Sequence, residues 1–269
     1  MISAKTKLLA LVGSLTIASQ ALVGAVVVPG FDSTSFPGND DGSVAVSFGL
    51  SGPLNFFGTS YAGAYLNNNG NITFASAMST FTPFAITGTT SNPIIAPFFA
   101  DVDTRSGNVT KYGNGTFEGH AAFGVTWDDV GYFAFGTDKL NSFQLLLVDR
   151  SDVGAGDFDI YFNYDKIQWE TGGASGGSGG LGGNSARAGF SNGSGTFFEI
   201  AGSGVNGAFL DSNGTTGLIH NSLNRPEDGR YLFTVRNGVV STTVPDASAT
   251  VGMLGLALSA LAFLRRKVA

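Results

Sequence analysis

Apolar and polar side chains alternate with a period of two through much of the chain. Phe123, Val125 and Trp127 are separated by small or polar residues, and Phe143, Leu145 and Leu147 lie opposite Gln144, Leu146 and Val148. Phe158, Ile160, Phe162 and Tyr164 alternate with Asp159, Tyr161 and Asn163, and Tyr231, Phe233 and Val235 repeat the pattern. Successive strand side chains point to opposite faces, so this rhythm predicts strands. It puts Phe158, Ile160 and Phe162 in one core, with Asp157 and Asp159 on the opposite, solvent-facing side. Asn69-Gly70, Gly113-Asn114-Gly115, Asn192-Gly193 and Asn213-Gly214 read as turns between strands. Gly172 to Gly183 is a flexible or tightly turning loop; no Lys-Ser/Thr pair follows it, so it does not read as a phosphate cradle. Helical periodicity is hard to find between the two ends. The expected fold is all-β, a single β-sandwich or barrel-like domain.

The ends follow other rules. Lys5 and Lys7 precede an apolar run from Leu8 to Ala18, and small residues lead to Val23-Gly24-Ala25. A cationic start, a short apolar stretch and small residues before a cut describe a secretory signal peptide over residues 1–25. At the other end, Ala247 to Leu264 carries no charge, and Arg265, Arg266 and Lys267 follow directly. An apolar span of that length with a basic stop predicts one transmembrane helix, residues 247–269, with the body outside the cytoplasm.

Composition sharpens this picture. Of the 14 basic residues five lie in the two end segments, leaving 9 against 20 acidic ones, or −11, for the body. Such a surface repels nucleic acid and suits an exterior protein that meets divalent cations. There is no cysteine, hence no disulfide framework and no thiolate chemistry, and stability must come from a core that 23 phenylalanines can supply.

Candidate chemistry is sparse. His120 and His220 lie in different segments without a Glu-x-x-His partner, and no Gly-x-Ser-x-Gly elbow is present. Asp128-Asp129, Asp157, Asp159 and Glu170 offer carboxylate pairs, which keeps a secreted hydrolase of matrix polysaccharide as the alternative reading. Asp101, Asp103 and Gly107 form an Asp-x-Asp-x-x-x-Gly segment whose oxygen ligands suit Ca²⁺. An Asp103–Arg105 ion pair explains the same residues without metal and is the preferred reading. Asp149, Asp152 and Asp157 form a second, weaker acidic group. No other cofactor is implied. Asn-x-Ser/Thr sequences at Asn71, Asn108, Asn114, Asn192 and Asn213 are read as turn chemistry.

Several stretches, taken in order, resemble one family. These are Asn67-Asn68-Asn69-Gly70-Asn71-Ile72-Thr73-Phe74, then Ile95 through Arg105, then Asn141 through Gly172, and finally Ala186-Arg187-Ala188-Gly189-Phe190-Ser191. Together they are similar to the nidogen-like domain of nidogens and of tectorin-type and mucin-type extracellular proteins, over residues 60–238. The resemblance implies cell–matrix adhesion and supplies neither a catalytic residue nor a defined ligand; extracellular polysaccharide or surface proteins are the expected partners. Val244-Pro245-Asp246, followed by the apolar span and Arg265-Arg266, resembles the Val-Pro-Asp variety of PEP-CTERM sorting signals. Ala247-Ser248 stands where that variety usually has Ser-Gly. This second resemblance implies a bacterial exosortase as partner and removal of the tail after transient membrane anchoring. The organisation is then a signal peptide (1–25), an N-terminal strand region (26–59), the nidogen-like domain (60–238), a linker with the sorting motif (239–246) and the anchor.

Overall fold

The computed structural model describes residues 26–87 and 89–243. The expected signal peptide, the expected sorting residues Val244, Pro245 and Asp246, the apolar span and the expected basic stop lie outside the described residues. Among the described residues no helix is long and apolar enough to cross a membrane.

Among the described residues, sixteen strands follow one another in chain order. The first six are β1 (Thr34–Ser35), β2 (Ser43–Ser47), β3 (Leu54–Phe56), β4 (Thr59–Tyr61), β5 (Gly63–Asn67) and β6 (Asn71–Thr73). The middle of the chain forms β7 (Ile94–Phe99), β8 (Val102–Asp103), β9 (Lys111–Phe117), β10 (His120–Tyr132), β11 (Gly136–Asp149) and β12 (Phe158–Ile167). Last come β13 (Arg187–Ser191), β14 (Phe197–Glu199), β15 (Arg230–Arg236) and β16 (Val239–Ser241). An eight-stranded sheet runs β1-β9-β10-β11-β12-β15-β16, with β8 paired to β10. A six-stranded sheet runs β14-β13-β7-β6-β5-β2, and β3 and β4 form a separate hairpin.

The two sheets pack face to face, so of the expected architectures the sandwich is the one formed. Val125, Leu145, Phe162 and Tyr231 are successive register partners across four strands of the larger sheet. All four belong to one buried cluster with Leu66, Ile72, Ile95, Phe98 and Phe190 of the smaller sheet. Phe98 meets Phe143 at 5.2 Å and Phe190 meets Phe233 at 5.3 Å between ring centroids, joining the sheets by aromatic contact. Phe36, Val46, Phe48, Leu54 and Phe56 enter the same cluster, so residues 26–59 complete this core.

The outer face of the larger sheet is also covered, which the alternation did not foretell. Gly124, Leu146, Tyr161 and Leu232 form the register row there. Phe31 lies on it, and a Cβ at Gly124 would fall 2.5 Å from the Phe31 ring. Burying that ring is worth about 1.5–3 kcal/mol. The turn expected at Gly113-Asn114-Gly115 is instead the middle of β9. Its glycines make room for the same N-terminal segment: a Cβ at Gly113 would meet Ser33 Oγ at 2.3 Å, and one at Gly115 would meet Gly30 O at 2.9 Å. Asp159 is corrected too. It lies on the face opposite Phe158 as expected, but only 3% exposed. Arg150 and Arg236 reach it at 2.9 and 2.7 Å. Among the Asn-x-Ser/Thr sequences, Asn71 and Asn114 sit in strands rather than turns.

Residues 172–183 turn tightly. A 3-10 turn spans Gly173–Ser175, and Ser178 bridges Leu181. Gly180 crosses so close to Trp169 that a Cβ there would lie 2.7 Å from the Trp169 Cβ.

Candidate functional site

Asp101 occupies the point where the chain leaves one sheet for the other. Strand β7 ends at Phe99 in the smaller sheet, and β8 begins at Val102, pairing with β10 of the larger one. The crossover is fixed by backbone contacts: the Phe133 N–H donates to the Asp101 carbonyl at 3.2 Å, and the Val102 N–H to that of Ala100 at 2.9 Å. A chain crossing the end of a sandwich is walled on several sides, so the Asp101 side chain is buried, at 1% exposure. Gly172 lies against it; a Cβ there would fall 2.3 Å from Asp101 Oδ2, so this position has room only for glycine.

The turn before β2 comes to the same place. Asn39 holds that turn through its own side chain, accepting the Gly42 N–H at 2.8 Å. The Asn39 backbone pairs with Thr104, whose N–H donates to the Asn39 carbonyl at 2.9 Å. The turn thereby delivers Asp40 and Asp41. Asp40, Asp41 and Asp101 each present a carboxylate oxygen, and these oxygens all lie within 4.8 Å of one another.

The run Asn67-Asn68-Asn69-Gly70-Asn71 builds the floor of this constellation. Its four asparagines are all 0–1% exposed. Asn68 Nδ2 donates to the Asp40 and Val102 carbonyls, each at 2.6 Å. Asn69 Nδ2 donates to Asp41 Oδ1 at 2.8 Å, while Asn69 Oδ1 accepts the Val102 N–H at 3.0 Å. One side-chain amide therefore ties the acidic turn to the crossover, because an amide carries both donor and acceptor. Trp127 Nε1 donates to the Asn68 carbonyl at 2.9 Å, anchoring the run to the larger sheet. Gly70 has φ +71°, and a Cβ would meet the Phe98 carbonyl oxygen at 1.8 Å, so no other residue fits.

The two aspartates singled out from the sequence separate. Asp103 is taken by Arg105: Nε and Nη2 donate to its two oxygens at 2.9 and 2.6 Å, and the Phe135 N–H adds a bond at 2.9 Å. Burial opposes its ionisation, but these bonds hold its carboxyl below the usual range. Arg105 also reaches Asp40 Oδ2 at 3.2 Å and lies 4.1 Å from the Phe135 ring centroid. Asp101 has no such partner. Burial first, then the charges of Asp40, Asp41 and Asp103, push it up to about 7 against the pull of Arg105. Asp40 is pushed up to about 6, chiefly by burial and the neighbouring Asp103 and Asp41.

The other acidic candidates have structural partners. Asp149 accepts from Ser51 and from the Ser151 N–H, and Asp152 pairs with Arg150. Asp157, expected on the solvent-facing side, is instead buried, and it accepts the Asn237 N–H at 2.7 Å. Asp129 pairs with Lys166, and Ser142 Oγ donates to Asp128 at 2.9 Å. Glu170 is buried and takes the N–H groups of Gly207 and Phe209 at 2.6 and 2.7 Å, fixing the loop after β14. His220 bonds the Asp211 carbonyl, and His120 lies 3.7 Å from Asp152.

Sequence reasoning missed Asp40 and Asp41. Asn39-Asp40-Asp41-Gly42 has turn composition, but nothing local links it to a crossover sixty positions away. The signal that could have found them is the asparagine run, since four buried amides need partners and the acidic turn supplies some of them.

Comparison with known proteins places the chain. The nidogen-like domain profile matches residues 62–237, and a VPDSG-CTERM motif profile matches residues 243–268. Human (Homo sapiens) alpha-tectorin is 37% identical over 197 residues, covering 64% of this chain and 9% of its own length. Alpha-tectorin of Mus musculus is 38% identical over 197 residues, with the same coverage of 64% and 9%. The nidogen of Drosophila melanogaster is 30% identical over 198 residues, covering 63% of this chain and 14% of its own. The chain thus spans a small part of the length of these relatives. No solved structure matches it.

Proposed function

We propose, for a chain that belongs to the nidogen-like domain family, the role of an exported, non-catalytic protein of the bacterial cell surface or extracellular matrix. Its sandwich makes adhesive or structural contacts with polysaccharide or other surface proteins. An exosortase reads Val244-Pro245-Asp246 and removes the tail after transient anchoring by the apolar span. The observation that carries this reading is the conjunction of a nidogen-like domain over 62–237 with a sorting motif over 243–268 in one chain. Either feature alone would fit several architectures; together they describe a module delivered to the cell exterior and displayed there. The excess of acidic residues in the body suits a solvated exterior surface.

The test is to purify the exported protein from cells expressing the full chain and present it to arrayed matrix glycans and surface-protein extracts. Saturable binding that leaves the glycans intact is expected. Shortening of the glycans, abolished by changing acidic residues, would replace this reading with a secreted hydrolase.

A further inference from the structure

We propose that Asp40, Asp41 and Asp101 bind one calcium ion, which staples the turn before β2 to the crossover between the two sheets. Three carboxylates gathered on a protein surface are common and prove nothing by themselves. What distinguishes this group is Asp101. Both of its carboxylate oxygens are buried and make no hydrogen bond, in a residue only 1% exposed. A buried ionisable group without a partner is costly, and proteins almost always supply one. The Oδ1 atom of Asp40 is likewise buried without a hydrogen bond. Partnerless carboxylate oxygens from two separate segments therefore converge, with Asp41 beside them.

The geometry suits one ion. Oxygens that share a Ca²⁺ at 2.3–2.6 Å lie no more than about 5 Å apart, and the three carboxylates meet that limit at 4.8 Å. Calcium takes six to eight oxygens, so carboxylates binding through one or both atoms leave places for water or carbonyl groups. The surrounding chain is built to hold these carboxylates close together. Asn69 orients Asp41 and Asn68 grips the Asp40 backbone, while the missing Cβ at Gly172 makes room for the Asp101 carboxylate itself.

Arg105 is the cation nearest this group, and its bonding shows where its charge goes. Its Nε and Nη2 are committed to Asp103, and it touches Asp40 only through Oδ2. It therefore offsets Asp103 and part of Asp40, and leaves Asp101 and Asp40 Oδ1 to a second cation. Asp103, the residue that local spacing pairs with Asp101, is a partner of Arg105 and not a ligand.

The experiment uses the exported protein purified from cells expressing the full chain, melted in millimolar CaCl2, in MgCl2 and in EGTA. An ion that binds only the folded state stabilises it by mass action, so CaCl2 should raise the melting temperature by roughly 4–10 °C over EGTA. Titration calorimetry with CaCl2 should give one ion per chain. Asp101→Asn is the decisive variant, because a neutral amide relieves the cost of the partnerless carboxylate while weakening the site. In EGTA it should melt at or above the wild type, and in CaCl2 below it. Asp138→Asn, at an exposed position paired with Lys139, should keep the full calcium response. Coincident wild-type melts in CaCl2 and EGTA would overturn the proposal, as would a calcium response that survives in Asp101→Asn. An equal response to MgCl2 would overturn the assignment to calcium.

Discussion

The backbone N–H of Val26 donates to the carboxylate of Asp165, a residue 139 positions later in the chain. The Val27 N–H reaches the same oxygen at 3.2 Å, and Arg230 Nη2 donates to the Val26 carbonyl at 3.0 Å. Val26 is the residue that would follow signal-peptide cleavage after Ala25. Its nitrogen would then be an α-ammonium facing a carboxylate, and a charge-assisted bond is stronger than a neutral one. The mature protein should start at Val26. A chain carrying one extra residue there should be less stable by about 1–2 kcal/mol, and Asp165→Asn should erase the difference. N-terminal sequencing and paired melts check this; a start elsewhere, or equal melts, would refute it.

The core prediction concerns Phe162, which is fully buried and meets Phe233 at 5.3 Å between centroids. Phe162→Ala should cost about 3–5 kcal/mol, through lost burial and the cavity left behind. Denaturant unfolding measures it directly, and a loss below 1 kcal/mol would mean that the sheets close over the gap.

Asp159 should matter more than a surface carboxylate. Its side chain is 4% exposed and lies between Arg150 and Arg236. Asp159→Ala would take from Arg150 and Arg236 the carboxylate they share, at a cost of about 2 kcal/mol. Adding salt should shrink that loss by screening the two arginines. A melt unchanged by the substitution would put Asp159 back among solvated residues.

Glu170 yields a pH dependence. Burial raises its pKa above 4.5 in the fold, although two backbone N–H groups pull the other way. The folded state therefore holds this proton more tightly than the unfolded chain does. Its contribution is greatest below 4.5 and is lost as pH rises through the folded value. Glu170→Gln removes that titration, so the stability of the wild type relative to the variant should fall as pH rises from 4. Melts of both proteins across pH 4 to 8 check the slope; parallel curves would contradict it.

Sorting is testable by mass. Replacing Pro245 and Asp246 by Ala should leave the C-terminal tail attached, so the exported protein should be heavier than the wild type by the tail. Deleting Ala247 to Ala269 should send the protein into the medium. Identical masses would remove the exosortase from the account, and equal retention in the membrane fraction would remove the anchor.

The sequence by itself determined the regularly alternating strands β10, β11, β12 and β15 and which of their residues share a face. It did so because period-two alternation is a local property: Phe158, Ile160 and Phe162 point the same way wherever their strand lies. It also carried the family resemblance, since the asparagine run, the Asp101 segment and the Trp169 region each read correctly as short words. What covers each face depends on segments far apart in the chain, so only the tertiary structure decided it. Phe31 lies on β10 and turns an expected solvent face into a second buried one, and Gly113 and Gly115 look like turn residues because β9 must yield to the segment crossing it. The acidic site has the same origin. Spacing paired Asp101 with Asp103, but Asp101 lies in the crossover between β7 and β8 while Asp103 lies within β8, so the period of a strand does not hold the two on one face and they meet different partners. Asp103 found Arg105 two positions on, while Asp101 met Asp40 and Asp41 only because Asn68 and Asn69 bind both segments at once.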